Sequence, residues 1–139
     1  MVLGSGCSGS GSPVHSTAAV PPVNGLSPQT LLRCRALKAE LPEQVGQGVR
    51  ARAAAPESDT TAAWGDPPIA LRCGVRRGSD RDDPYTFNGV TWAMHDTGAS
   101  RTWTTTAQQV NVSVQVPDAY GSQAELVGAI SFAVRKALR

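Results

Sequence analysis

Only two histidines occur in this 139-residue chain, His15 and His95, and aromatic side chains make up just 5% of it. A metal centre of ordinary zinc type needs more ligands than His95, Asp96 and a stray loop carboxylate supply. An excess of charge of either sign is also missing. Thirteen Lys and Arg face eleven Asp and Glu, for a net charge of +2. That balance gives no broad electrostatic basis for holding nucleic acid or an acidic membrane surface. Long hydrophobic runs are absent too. The most apolar stretch, Leu126 to Val134, falls well short of the roughly 18 residues that a spanning helix needs. No C-x-x-C pair, P-loop, G-x-S-x-G elbow or dinucleotide fingerprint appears, so no cofactor is expected.

What is present is punctuation. Fourteen Gly and ten Pro exceed what one compact domain needs, and much of the surplus falls early. Residues 1–26 hold Gly, Ser, Pro and Thr clusters with scattered aliphatics, and are expected to form a flexible tether. Residues 27–139 are expected to form a single domain.

Three cysteines stand in different settings. Cys7 lies in a Gly/Ser leader, while Cys34 and Cys73 lie in apolar patterns. Leu3-Gly4-Ser5-Gly6-Cys7 has the look of a lipoprotein leader's end, which makes Cys7 a candidate lipidation site. The plainer reading is an incidental thiol. No basic and hydrophobic leader precedes it, so membrane attachment is expected only through residues upstream of Met1 or through lipid on Cys7.

The domain's first helix is predicted at Ser27-Pro28, a cap followed by a first-turn proline. Leu31, Cys34, Leu37 and Leu41 form its apolar stripe, and Pro42 ends it. Val49 to Ala53 reads as a short edge strand. Ile69, Leu71, Cys73 and Val75 alternate with Ala70, Arg72, Gly74 and Arg76, which predicts a half-buried strand. Two independent periodicities thus aim Cys34 and Cys73 inward, and a disulfide between them is expected. Arg76 to Tyr85 reads as a polar loop. A turn at Asn88-Gly89 leads into Val90, Trp92 and Met94. Arg101 to Thr106 is β-prone, and Val110, Val112, Val114 and Val116 make the clearest strand. Ser122-Gln123-Ala124-Glu125 reads as a capping box before the final helix. With no helix between the strands, the expected class is α+β: an antiparallel sheet of three to four strands, with an N-terminal and a C-terminal helix on its valine face.

At Trp64-Gly65-Asp66-Pro67-Pro68-Ile69-Ala70-Leu71-Arg72-Cys73-Gly74-Val75 the chain resembles an uncharacterised actinobacterial family, the domain of unknown function 3515. Cys34 near Leu41-Pro42, Asn88-Gly89-Val90-Thr91-Trp92, the Thr104-Thr105-Thr106 run and the final helix fit as well, so the resemblance covers about Leu26 to Leu138. It implies an exported, envelope-associated protein with a membrane segment or lipoprotein-type leader, and it supplies no catalytic residues. Arg76-Arg77 depart from it, since proline is expected nearby.

Two functional readings follow. The first is a non-enzymatic envelope module that contacts an envelope protein or cell-wall component, with no nucleic-acid partner. Its candidate ligand-binding residues are Arg72, Arg76, Arg77 and Arg101, whose guanidinium groups suit anions, together with Asp66 and Trp64. The second is a small envelope hydrolase or transferase using Asp66, His95 and nearby arginines. Each residue also has a structural reading: Asp66 before proline as a turn residue, Trp64 as core, and the arginines as a solvated face.

Overall fold

The computed structural model describes residues 17–139. The sheet is larger than its sequence suggests. Nine strands form it, in the order β1-β3-β4-β5-β9-β8-β7-β6, with β2 added beside β3. They are β1 (Thr17–Ala19), β2 (Gln44–Val45), β3 (Val49–Ala55), β4 (Thr61–Trp64), β5 (Ile69–Val75), β6 (Asp83–Phe87), β7 (Val90–Asp96), β8 (Ser100–Thr105) and β9 (Asn111–Pro117). Helix α1 (Pro28–Glu40) follows β1, and helix α2 (Gln123–Leu138) closes the chain. The expectation of three to four antiparallel strands is therefore corrected. The sheet has nine strands and is mixed, because β1 runs parallel to β3.

The missed strands share a physical cause: none carries a strong apolar alternation. β1 and β2 are two or three residues long, β4 is built largely of alanine and threonine, and β6 is an exposed strand at the sheet's end containing Asp83-Pro84. β3 is also not the edge strand its sequence suggests, since β4 lies on one side and β1 and β2 on the other. Residues 17–26, within the stretch expected as a tether, pair and pack on the domain. Residues 1–16, with Cys7 and His15, lie outside the described residues.

The elements with strong patterns formed as read. Ser27 caps α1 by accepting from the Thr30 amide at 3.1 Å, and Cys34 and Leu37 are buried on its inner face. Leu71 and Cys73 on β5 line up with Val114 and Val112 on β9, and these four, with Ile69 and Val116, are buried. Asn88 and Gly89 take φ of 51° and 83°, the left-handed pair that a two-residue hairpin requires. The turn joins β6 to β7, because Arg76 to Tyr85 is only partly loop.

The helices lean on this valine face. Trp92 on β7 donates its indole N–H to Ser131 on α2 at 2.9 Å, and Trp103 on β8 donates to Gln123 at 2.8 Å. Both bonds are buried, where an indole N–H without an acceptor is costly. The second bond accompanies a local correction. Ser122 makes no side-chain cap bond, so the capping box does not form. Gln123 turns inward instead, linking Trp103 to the carbonyls of Val116 and Pro117.

Cys34 and Cys73 form a disulfide that ties α1 to β5 across 39 residues, with their Cα atoms 5.7 Å apart. Closing a loop of that length removes unfolded-chain entropy worth about 4 kcal/mol.

The opposite face of the sheet is partly covered by the chain itself. Ala18 and Val20 are buried against Ala63, with Ala54 and Ala70 packed around them. Arg72 reaches across to hold the carbonyls of Pro21 at 2.8 Å and Pro22 at 3.3 Å. Val23 then donates its amide to Thr60 Oγ1 at 3.0 Å.

Candidate functional site

A concavity among the described residues lies where β3 and β4 fork. These strands pair only at Ala51–Trp64 and Arg52–Ala63. Beyond Arg52, β3 turns its other edge to β1, pairing Ala53, Ala54 and Ala55 with Thr17, Ala18 and Ala19. β4 meanwhile continues alongside β5 from Thr61. A cleft of about 500 Å³ opens between them, beneath the end of α1. That volume falls within the range of roughly 300–1,000 Å³ typical of small-ligand sites.

The sequence explains why space is left here. Arg50-Ala51-Arg52-Ala53-Ala54-Ala55 and Ala62-Ala63 carry no side chain beyond Cβ except the arginines. Alanine is depleted in strands because it offers little to pack against neighbours. Here that deficit forms a small-residue floor, with Leu41, Pro42 and Trp64 as apolar walls. The Trp64 indole is fully buried and fixed by its N–H bond to the Pro42 carbonyl at 2.9 Å.

The rim is charged, and its groups differ in how fully they are engaged. Lys38 donates to the Ser58 carbonyl. Arg52 donates to the carbonyls of Gly65, at 2.7 Å, and Thr17, and lies 3.8 Å from Asp66. Glu43 and Glu57 also line the cleft, and their carboxylates pair with no group among the described residues. Thr61, another lining residue, is 1% exposed and its Oγ1 has no hydrogen-bond partner among the described residues.

The Trp64-Gly65-Asp66-Pro67-Pro68 segment is a braced turn beside this cleft. The Gly65 amide donates to Arg50 O at 2.9 Å and its carbonyl takes Arg52. Tyr120 donates its hydroxyl to the Pro67 carbonyl at 2.6 Å. Gly65 has φ of 73°, and a Cβ there would run into the Tyr120 hydroxyl and, at 2.8 Å, Val49. Burial raises the Tyr120 hydroxyl above its usual pKa, and the Asp66 carboxylate pushes the same way.

The sequence-derived candidates fall at scattered positions. Trp64 is a cleft wall, and Asp66 lies at the turn with its side chain 88% exposed. Arg72 is engaged with Pro21 and Pro22 on the opposite face. Arg76 and Arg77 follow β5, at the other end of that strand from Asp66. Seven residues of strand at about 3.3 Å each separate the two ends. Arg77 pairs with Asp80 at 3.0 Å, while Arg101 lies on the helix side, 3.8 Å from Asp96. His95 meets Asp82 at 3.3 Å. It shares a face with Arg72, but β8 and β9 intervene between their strands, a separation of about 14 Å. Sequence reasoning missed Glu43, Glu57 and the alanine floor. The available signal was a run of small residues in a strand that supplies no core.

Among the described residues, no three His, Cys, Asp or Glu side chains group as a metal site. No helix there is long and apolar enough to cross a membrane. Fold and site together define a disulfide-bonded mixed α/β domain with a small apolar cleft at a strand fork. The chain belongs to the DUF3515 family of proteins of unknown function, whose model matches residues 7–139. No curated protein and no solved structure matches it.

Proposed function

We propose that the chain is an exported, envelope-associated binding module whose ligand site is the cleft between the end of α1 and the β3–β4 fork. The observation that carries this reading is the cleft itself: an apolar small-residue floor, a fixed tryptophan wall and carboxylates with no partner among the described residues converge at one place. The Cys34–Cys73 disulfide supports a working place outside the reducing cytoplasm. Anchoring falls to a segment upstream of Met1 or to lipid on Cys7, and the partner is an envelope protein or cell-wall component.

Amide NMR of the domain, titrated with a library of peptide and cell-wall fragments, tests the binding site. Binders are expected to shift Lys38, Ala53 and the Trp64 indole. Shifts confined to Arg76, Arg77 and Arg101 would move the site to the arginine-bearing surface and overturn the cleft. Fractionation of the native host, with thiol labelling before lysis, tests the location. Recovery from the cytoplasm with Cys34 and Cys73 both alkylatable would defeat export.

A further inference from the structure

We infer that the cleft takes an extended peptide segment with small side chains at its centre and basic residues at its ends. This rests on the cleft being the ligand site and goes on to name the ligand's chemistry.

The first support is the main chain at the fork. The Gly65 amide bonds Arg50 O, so Arg52 and Ala63 form the hydrogen-bonded pair of the ladder. Groups facing the partner strand recur every second residue. The amide and carbonyl of Ala54 therefore turn toward β4, and those of Thr61 turn toward β3. Pairing stops at Arg52–Ala63, so these groups face each other across the opening without being joined. An extended peptide is the ligand whose own amides and carbonyls satisfy such edges, as in strand addition to a sheet. The alanine floor limits its central side chains to small ones.

The second support is charge. Both cations in the lining already donate to carbonyls, Lys38 to Ser58 and Arg52 to Gly65 and Thr17. The carboxylates of Glu43, just before β2, and Glu57, in the β3–β4 loop, are acceptors with no donor among the described residues. A lysine or arginine at each end of a short peptide supplies those donors as charge-assisted bonds.

The test is an NMR titration of the whole chain with capped Lys-Ala-Ala-Ala-Lys, and with matched Ser- and Glu-ended peptides. The basic peptide is expected to bind tightest, shifting the Ala54 and Thr61 amides, and to weaken as salt rises. Glu43→Gln and Glu57→Gln should each weaken it about threefold, as exposed ion pairs do. Ala53→Leu, on the face of Trp64, should fill the cleft and abolish binding without lowering Tm. Should that variant unfold, the two glutamines, at exposed sites, carry the test. Tighter binding of the acidic peptide, or indifference to both glutamines, overturns the inference. So does binding of neutral apolar compounds in the cleft when no peptide binds, although the cleft then survives as the ligand site. If nothing shifts the cleft residues, both readings fall.

Discussion

Arg72 Nε donates to the Pro21 carbonyl at 2.8 Å, and through that bond the sheet holds down the segment between β1 and the first helix. The guanidinium is thereby committed to backbone oxygens, and its second bond, to Pro22, keeps residues 21–23 pressed over β5 and Thr60. Arg72→Ala is expected to cost about 1.5–3 kcal/mol, the usual range for hydrogen bonds that involve a charged group. Denaturant unfolding reads the cost. Amide hydrogen exchange should quicken at Ala18, Val20 and Val23 well before the valine strand β9 responds. Uniform exchange across the molecule would show that the arginine does not act through this segment.

The disulfide makes a larger claim on stability. Replacing Cys34 and Cys73 together by serine restores the unfolded chain's freedom over 39 residues, an effect of about 4 kcal/mol. Both positions are buried beside apolar neighbours, so the serine hydroxyls add a burial cost. The midpoint of denaturant unfolding should fall in the double variant, and adding reductant should lower the wild type but leave the variant unmoved. Mass spectrometry of non-reduced digests should recover the Cys34–Cys73 linked peptide. Two free thiols in oxidised protein would contradict the pairing.

The legible parts of this fold are those where one residue property repeats. The valines of β9, the alternation through Cys73 on β5 and the stripe through Cys34 on α1 each face one core, so period and burial agree. β3 and β4 defeat that logic. Their alanines line a cleft or touch the crossing segment at Ala18 and Val20, so no large apolar face marks β4 as a strand or gives β3 its central place in the sheet. Trp64 stands out as a residue of a distinctive turn, yet the carboxylates that line the same cleft, Glu43 and Glu57, belong to unpatterned stretches. Only the fork of β3 from β4 brings those carboxylates to one cleft, and strand pairing across ten residues is a tertiary fact that local spacing does not carry.

Tyr120 predicts a specific alkaline behaviour. Its hydroxyl is raised above its usual value, first by burial and then by Asp66. The folded state therefore keeps this proton at a pH where the unfolded chain has lost it. That contribution is fully present below the unfolded tyrosine pKa and is lost as pH rises from there through the folded value. Tyr120→Phe removes the bond to the Pro67 carbonyl, at a cost of about 0.5–1.5 kcal/mol near neutrality. It should also flatten the decline in stability above about pH 10. Urea titrations from pH 8 to 11 compare the two slopes, and parallel slopes would exclude Tyr120 as their source.

Gln123 offers the sharpest test of the buried polar network. It accepts the indole proton of Trp103 and donates to Val116 O at 3.3 Å, deep under the start of α2. Gln123→Met keeps much of the volume but leaves the Trp103 N–H without an acceptor, for an expected loss of about 1–3 kcal/mol. Trp103→Phe instead strands the glutamine carbonyl oxygen and removes the ring's edge contacts with Tyr85 and Phe87, whose centroids lie 5.3 and 5.7 Å away. If the cost of the first change is mainly an orphaned donor, the two substitutions together should cost clearly less than their sum, because the second removes the donor that the first leaves unpaired. Equilibrium unfolding of the four chains closes the cycle. Strict additivity would mean that the Trp103–Gln123 bond contributes nothing of its own, and that packing alone seats α2 on the sheet.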